Sequence, residues 1–220
     1  MKVLRVLVLD FDGVILESND LKTAVFDEVF AQYPEHHAAM MAFHREHQSS
    51  SRYVKFAHLV EARLRRPGDT NLINGLAEEF SRRLADRMTA CAPVPGALEL
   101  LERFSGIVPT YLASVTPQAE LESVLGRRAL SRHFQAVYGC PPWEKARAVA
   151  DIVQRHGGVT AGVLLVGDSA GDQRAALTAG VDFVARDSGL PFDTCPDVMC
   201  HDMFEVAEVL RARMDRTSDA

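Results

Sequence analysis

Two aspartates separated by one residue follow a short apolar segment near the start of the chain. Asp10 and Asp12 come directly after residues 3–9, whose β-branched and leucine-rich composition is typical of a buried parallel strand. Side chains at positions i and i+2 of an extended segment point the same way, and open α/β sheets bind ligands at the carboxyl ends of their strands. The spacing therefore predicts two carboxylates that face one site at the edge of a sheet. An acidic turn after a strand is the alternative, because Asp and Gly are common turn residues.

The same pattern of apolar strand and acidic residues recurs far downstream. Residues 163–166 are apolar, and Asp168 and Asp172 follow them. Carboxylates are ligands that Mg²⁺ prefers in proteins, and a carboxylate can also attack phosphorus to form an aspartyl-phosphate. If the two strands are neighbours in the sheet, Asp10 and Asp168 can supply oxygens to one metal ion.

Two further motifs lie between these pairs of acids. Ser114 follows the apolar segment that begins at Tyr111, and Lys145 follows a Pro-Pro-Trp-Glu run. With Asp10-x-Asp12 before them and Gly167-Asp168-Ser169-x-x-Asp172 after them, the four motifs stand in the order found in the haloacid dehalogenase (HAD) superfamily. From residue 3 to about residue 186 the chain resembles the capped phosphatase branch of that superfamily.

The resemblance implies a role for each motif. Asp10 would be the nucleophile that forms an aspartyl-phosphate, and Asp12 would give a proton to the leaving alkoxide and later take one from water. Ser114 would hydrogen-bond the phosphoryl group, and Lys145 would lie between the phosphoryl oxygens and Asp10. Mg²⁺ would be held by Asp10 and Asp168, together with the backbone carbonyl of Asp12.

Several of these residues also have an ordinary structural interpretation. Asp172 would hold a metal-bound water or Lys145, but a carboxylate in the first turn of a helix is stabilised there by the helix dipole alone. Lys145 is equally compatible with a solvated lysine at a helix start. Ser114 could cap the helix that begins near Gln118, although Thr116 is better placed for that role. Thr116 is also a candidate substrate-binding residue.

Strands that alternate with helices after about residue 90 predict a doubly wound parallel α/β sheet. The predicted helix at residues 97–104 would bury Leu98, Leu101 and Phe104. The resemblance adds a Rossmann-like core made of residues 1–16 and 91–220, with a helical cap at residues 17–90. The predicted strands are residues 3–9, 108–113, 136–138, 163–166 and 182–185.

The cap region carries basic residues beside a serine-rich segment. In similar capped hydrolases, a helix start near this position contacts the leaving group of the substrate, so Arg52 and Lys55 suit an acidic or phosphorylated leaving group. An exposed helix start is the alternative. Lys22, a third candidate substrate-binding residue, stands where the related sugar-phosphate mutases carry a histidine. His44 and His47 have i, i+3 spacing, but without an acid or cysteine to complete a metal site a solvated helix face is expected.

Composition narrows the function classes further. The 220 residues have a net charge of −6, which gives no basic footprint for nucleic acid. The four cysteines form no CxxC pair and are expected to be reduced thiols of a cytoplasmic protein. No signal peptide or membrane span is predicted, and residues 215–220 are expected to fray. Oligomeric state is not predicted.

The sequence therefore predicts a Mg²⁺-dependent phosphatase that acts on a small phosphorylated metabolite. A sugar-phosphate mutase is one alternative within the superfamily. A phosphonate hydrolase is another, since such relatives use a cap lysine as a Schiff base, a role open to Lys22 or Lys55. A receiver-like signalling module is the alternative of a different class, because receivers also combine an aspartyl-phosphate, a Ser or Thr and a Lys around Mg²⁺. Receivers, however, are about half this length and place the acceptor aspartate on a middle strand.

Overall fold

The computed structural model describes residues 3–214, and the chain forms two compact units. The core unit consists of the chain up to Glu17 and from Ala92 onward, and the helical unit is Ser18–Cys91. The expected fraying of residues 215–220 falls outside the described residues. No helix in the described part of the chain has the length and apolar character needed to cross a membrane.

The core unit is built on a parallel sheet, which confirms the predicted α/β fold class. Within residues 3–214 its strand order is β3-β2-β1-β4-β5-β6, and every pairing is parallel. The two-residue strand β6 was not predicted, because two residues are too few to show a hydrophobic pattern. The strands are β1 Val6–Leu9, β2 Thr110–Ser114, β3 Ala136–Gly139, β4 Val163–Gly167, β5 Asp182–Arg186 and β6 Met199–Cys200.

The helical unit contains no strand among its residues. A turn at Arg66 to Asp69 precedes its longest helix, whose N-cap Asp69 accepts a hydrogen bond from the backbone N–H of Leu72 at 3.0 Å. Buried phenylalanines pack in its interior, with the rings of Phe26 and Phe80 4.4 Å apart. Its helices are α1 Asn19–Phe30, α2 Pro34–Glu46, α3 Arg52–Ala57, the π-helix His58–Arg63 and α4 Thr70–Ala90.

Helices cover both faces of the core sheet, so the central strands are buried on both sides. Every residue of β1, β2 and β4 is buried, which explains why these strands are apolar runs rather than alternating patterns. Helix α5 buries Leu101 and Phe104 as predicted, but it buries Leu100 in place of Leu98, which is 37% exposed. The core helices are α5 Ala97–Phe104, α6 Gln118–Arg127, α7 Lys145–Arg155, α8 Ala170–Ala179 and α9 Met203–Met214.

The two ends of the core that flank the helical unit are joined to each other. Leu16 forms an antiparallel bridge with Pro93, and the backbone N–H of Glu17 donates to the carbonyl of Ala92 at 3.0 Å. The side chain of Glu17 accepts two hydrogen bonds from the guanidinium of Arg186, at the end of β5. The chain therefore leaves and re-enters the core at a single anchored point.

Candidate active site

Three of the polar residues identified from the sequence lie at the carboxyl ends of adjacent strands. Asp10 follows β1, Ser114 ends β2 and Asp168 follows β4, and β1 lies between the other two strands. All three side chains are buried. The turn after β1 needs Gly13, which has φ of +69° and donates its N–H to the carbonyl of Leu16 at 2.7 Å.

Lys145 joins the first and last motifs. It is the first residue of α7, and its Nζ lies 2.8 Å from Asp10 Oδ1 and 2.5 Å from Asp172 Oδ1. The side chains of both aspartates are buried, and only 9% of the lysine side chain is exposed. Lys145 is therefore not a solvated lysine at a helix start, because it neutralises part of a buried acidic cluster.

The acidic cluster has more negative charge than Lys145 can balance. Burial raises the pKa of Asp10 well above its usual value, and the neighbouring carboxylate of Asp172 raises it further, although Lys145 opposes both effects. Burial lowers the pKa of Lys145, but the carboxylates of Asp10 and Asp172 outweigh burial and hold it above its usual value. A bound cation would supply the positive charge that the site lacks.

Asp172 has both of the structural roles considered from the sequence. Its Oδ2 accepts hydrogen bonds from the Ser169 backbone N–H at 3.1 Å and from Ser169 Oγ at 2.6 Å. The first of these belongs to a capping box at the start of α8, in which the Asp172 backbone N–H donates in return to the Ser169 side chain. Its Oδ1 bonds to Lys145. Gly167 is required beside it, since a Cβ there would lie 2.2 Å from the Cβ of Asp172.

The site fits a hard divalent cation. One carboxylate oxygen each from Asp10, Asp168 and Asp172 lies within 4.8 Å of the others, and all three residues are buried. Oxygen donors of this type suit Mg²⁺. Because Ser169 and Lys145 already engage both oxygens of Asp172, Asp10 and Asp168 are the better ligands of the three. The side chain of Asp12 is not a member of this group.

The second aspartate of the first motif contacts Thr116 instead. Thr116 Oγ1 donates a hydrogen bond to Asp12 Oδ2 at 3.0 Å, and the Thr116 backbone N–H donates to Ser114 Oγ at 3.1 Å. All three residues are buried. Neither Ser114 nor Thr116 caps α6, since its N-cap residue is Pro117 and no side chain makes a capping hydrogen bond. The capping interpretation of both residues was wrong because Thr116 precedes the N-cap position by one residue and Ser114 precedes it by three.

In the helical unit, Arg52 and Lys55 are buried rather than exposed at a helix start. Arg52 Nη1 donates to Ser81 Oγ at 2.7 Å, and its guanidinium lies 4.4 Å from the centre of the Phe80 ring. Lys55 Nζ lies over the Phe26 ring at 4.7 Å. Since the rings of Phe26 and Phe80 contact each other at an interplanar angle of 42°, the two cations lie on one aromatic cluster.

His44 is also buried, which corrects the expected solvated face. Its Nδ1 lies 3.0 Å from Lys55 Nζ, and its Nε2 lies 3.0 Å from Thr23 Oγ1. When Lys55 is protonated, His44 Nδ1 must accept, so Nε2 carries the proton and donates to Thr23. Burial, reinforced by Lys55, lowers the pKa of His44 to about 3.

Lys55 is buried near two other cations of this unit, Lys22 and Arg52, and its pKa is lowered. Burial lowers it to about 7, and the positive charges of Lys22 and Arg52 contribute to the same shift. Lys22 is half-buried in α1. The sequence indicated the three cations but not the buried contact between Lys55 and His44. These two residues are 11 positions apart and lie on different helices, so no local sequence pattern specifies their contact.

Comparison with known proteins agrees with this geometry. The model of the haloacid dehalogenase-like hydrolase family matches residues 7–186. A phosphoglycolate phosphatase from Synechococcus elongatus is 26% identical over 202 residues, which cover 88% of this chain and 91% of the relative.

Solved structures share the fold across nearly the whole chain. A haloacid dehalogenase-like hydrolase family protein from Streptococcus pneumoniae has a TM-score of 0.73 at 18% identity, covering 94% of this chain and 98% of that protein. A HAD hydrolase from Bacillus subtilis, described as bound to magnesium, has a TM-score of 0.68 at 16% identity, covering 96% and 100%. At such identities the likenesses show the fold, whereas the family match over most of the sequence goes further: this chain belongs to the haloacid dehalogenase-like hydrolase family.

Proposed function

We propose that the protein is a Mg²⁺-dependent phosphatase that hydrolyses a small phosphorylated metabolite through an aspartyl-phosphate. The observation that carries this proposal is the buried pair of Asp10 and Asp168 at adjacent strand ends, with Lys145 Nζ 2.8 Å from Asp10 Oδ1, in a HAD-family hydrolase. A nucleophilic carboxylate, a fixed cation and metal-ligating oxygens are the parts that phosphoryl transfer needs.

In the proposed reaction, a carboxylate oxygen of Asp10 attacks phosphorus and the bond from phosphorus to the leaving oxygen breaks. Asp12 donates its proton to that oxygen, so the leaving group departs as an alcohol. Asp12 then takes a proton from water, the water oxygen attacks phosphorus, and the acyl phosphate bond breaks to release inorganic phosphate and regenerate Asp10. Lys145 and Ser114 bind the phosphoryl oxygens throughout.

Asp10, Asp168 and the backbone carbonyl of Asp12 would hold the metal ion. When bound, Mg²⁺ neutralises charge on the transferring phosphoryl oxygens. Asp172 supports the site by holding Lys145 through its Oδ1. The magnesium described for the Bacillus subtilis relative supports the choice of ion.

We propose that the helical unit is the cap and that its cations read the leaving group. Lys22, Arg52 and Lys55 lie close enough for the first two to lower the pKa of the third, and an anion beside them would relieve that repulsion. The name of the Synechococcus elongatus relative makes 2-phosphoglycolate the first substrate to try, since its leaving group carries a carboxylate. Lys22 in place of a histidine disfavours a mutase.

A second candidate is phosphonate cleavage with a lysine Schiff base. The observation that favours it is the pKa of Lys55, which at about 7 leaves part of the amine neutral and nucleophilic near neutral pH. Reduction with borohydride in the presence of an aldehyde-bearing phosphonate would attach the substrate carbons to Lys55. Loss of that adduct in Lys55→Met identifies the site, and absence of any adduct removes this candidate.

The phosphatase proposal is tested at the nucleophile. Asp10→Asn keeps the volume of the side chain but cannot form an acyl phosphate, so turnover of 2-phosphoglycolate and 4-nitrophenyl phosphate should fall by several orders of magnitude. Wild-type activity should disappear in EDTA and return with Mg²⁺, with Ca²⁺ a poor substitute because it accepts looser coordination.

Asp168→Asn should raise the Mg²⁺ concentration needed for half-maximal rate, while circular dichroism confirms that both variants fold. Activity of Asp10→Asn within about tenfold of wild type, roughly 1.4 kcal/mol of barrier, would exclude the aspartyl-phosphate. The four free cysteines support the further proposal of a reducing, cytoplasmic location.

A further inference from the structure

Asp12 and Thr116 are 104 residues apart in the chain, yet their side chains are hydrogen-bonded at 3.0 Å in the interior of the core unit. Thr116 is only 2% exposed and Asp12 7%. A carboxyl group linked to an sp³ carbon rotates in a broad torsional well unless a partner fixes it. The threonine hydroxyl is such a partner, so the position of Thr116 sets the plane of the Asp12 carboxyl group.

The backbone of Thr116, which carries this hydroxyl, is held by three contacts. The Thr116 backbone N–H donates to Ser114 Oγ at 3.1 Å, and its carbonyl accepts from the backbone N–H of Cys140 at 3.0 Å. At Gly139 a Cβ would lie 2.8 Å from the Thr116 carbonyl oxygen and 2.5 Å from the backbone N of Gln118. The end of β3 is therefore pressed against this turn, and the turn has little freedom to move.

We infer that Thr116 is a positioning residue for proton transfer to the leaving group. This inference rests on the proposed function, in which Asp12 is the general acid. Because Oδ2 accepts the hydrogen bond from Thr116, the proton that Asp12 delivers is carried on Oδ1. As the bond from phosphorus to the leaving oxygen breaks, the Oδ1 proton moves to that oxygen and Asp12 becomes a carboxylate. Thr116 keeps its own proton and stabilises the carboxylate through Oδ2.

The inference predicts a dependence on the leaving group. An alkoxide is a poor leaving group and needs the proton, whereas 4-nitrophenolate departs without one. Loss of the Thr116 hydroxyl should therefore slow benzyl phosphate much more than 4-nitrophenyl phosphate, two substrates of similar size. The quantity to compare is kcat/KM, which reports the step that forms the aspartyl-phosphate even when its hydrolysis limits kcat.

The experiment uses the Mg²⁺-saturated enzyme and variants of Thr116. Thr116→Val replaces the hydroxyl by a methyl group of the same size, and we expect kcat/KM for benzyl phosphate to fall about 10- to 100-fold, a part of the usual contribution of general acid catalysis. For 4-nitrophenyl phosphate the loss should stay below about threefold. Thr116→Ser restores the hydroxyl and should return both substrates to near wild-type values.

Thr110→Val is the matched control. Thr110 is the first residue of β2, the strand that precedes Thr116. It is equally buried, and it donates its hydroxyl to the backbone carbonyl of Val108 at 2.8 Å. This variant should lower the thermal midpoint while leaving the ratio of the two kcat/KM values unchanged. If Thr116→Val does not fold, Thr116→Ala tests the same hydroxyl without a second methyl group.

Asp12→Asn distinguishes a failure of the role inferred for Thr116 from a failure of the role proposed for Asp12. If Asp12→Asn discriminates between the substrates but Thr116→Val slows both equally, the role of Thr116 is wrong and the proposed function stands. If Thr116→Ser behaves like Thr116→Val, the residue matters through its packing and the positioning role is likewise wrong. If Asp12→Asn shows no dependence on the leaving group, Asp12 is not the general acid, and both the inference and that part of the proposed function fail.

Discussion

Two buried lysines of this chain lie in opposite electrostatic environments. Lys145 lies between the carboxylates of Asp10 and Asp172, which hold its pKa above the usual value. Lys55 has an imidazole and a backbone carbonyl as hydrogen-bond partners and two cations nearby, and its pKa falls to about 7. Lys145 begins α7 and Lys55 lies in the last turn of the short helix α3, and the sequence pattern of each is compatible with exposure. Their environments differ because of charged residues that lie far away in the chain or on other elements. A local sequence pattern does not contain these neighbours.

At this scale the proposed cap role of Arg52 is testable. Arg52→Ala should lower kcat/KM for 2-phosphoglycolate. The expected loss of transition-state stabilisation is about 1.5–3 kcal/mol, the range of a hydrogen bond to a charged group. It should change kcat/KM for 4-nitrophenyl phosphate little, because that leaving group has no carboxylate to bind.

The control is Arg82→Ala, an exposed arginine on α4 of the same unit, which should leave both substrates unchanged. The thermal midpoint of each variant should be recorded, since Arg52 also donates to Ser81. Equal losses on both substrates would assign Arg52 to the folding of the helical unit and remove it from leaving-group recognition.

Elements were predictable where a long pattern defines them. Helix α7 begins at Lys145, where the sequence predicted a helix start, and its apolar residues repeat with helical spacing. The strands were located to within a few residues, but the face of α5 was misassigned: Leu98 and Leu100 are both leucines, and only the packing of the core shows which one is buried. The residues at strand ends were recognisable as motifs, whereas the contact between Thr116 and Asp12 depends on how β2 pairs with β1.

The junction between β4 and α8 gives a prediction at the scale of elements. Gly167→Ala places a Cβ 2.2 Å from the Cβ and 2.3 Å from the Cγ of Asp172. The strand and helix must separate to accept it, so we expect a loss of about 1–3 kcal/mol in the free energy of unfolding. Activity should also fall, because Asp172 holds Lys145.

Gly126→Ala serves as the matched control for this substitution. Gly126 lies inside α6, with nothing within 4 Å of an added Cβ, and alanine there should stabilise the core unit by about 0.5–1 kcal/mol. Urea unfolding monitored by circular dichroism measures both changes. An unchanged free energy of unfolding in Gly167→Ala would show that β4 and α8 can move apart without loss of stability, and would contradict the prediction.

At the scale of the whole molecule, the two units place their charges differently. The core unit buries an acidic cluster that a cation would balance, and the helical unit buries Arg52 and Lys55 with Lys22 nearby. The overall charge of −6 shows neither feature. Both clusters are costly to bury in the absence of a ligand, and in the proposed function a metal ion and an anionic substrate compensate them. The division of charge between the units therefore supports the division of labour proposed for them.

The buried cations predict how stability depends on pH. In the folded protein the pKa of His44 is about 3 and that of Lys55 about 7, against 6.5 and 10.5 for the free side chains. Between its two pKa values each of these groups binds more protons in the unfolded chain than in the folded chain, so its contribution to the free energy of unfolding rises with pH. Each group contributes at most about 1.4 kcal/mol per pH unit.

Urea unfolding in EDTA from about pH 5 to about pH 9 measures this dependence. The charged and titratable neighbours of the pair are Lys22, Arg45 and Arg52. Lys55→Met keeps an unbranched side chain and should lose the slope above about pH 7 while retaining the slope below pH 6.5 that comes from His44. A variant with the same alkaline slope as wild type would show that Lys55 stays protonated in the folded protein.

The backbone hydrogen bond between Glu17 and Ala92 affects how such a chain can evolve. The two ends of the core unit contact each other there, so the helical unit inserted between them has adjacent ends. Recombination at these two points can replace the helical unit by another segment without shifting the register of the sheet. Closing a longer loop costs little, about 0.6 kcal/mol for each doubling of its length. Selection can thus exchange the part proposed to choose the substrate while inheriting the catalytic strands unaltered, and a library of chimeras joined at these two residues would start from an intact sheet.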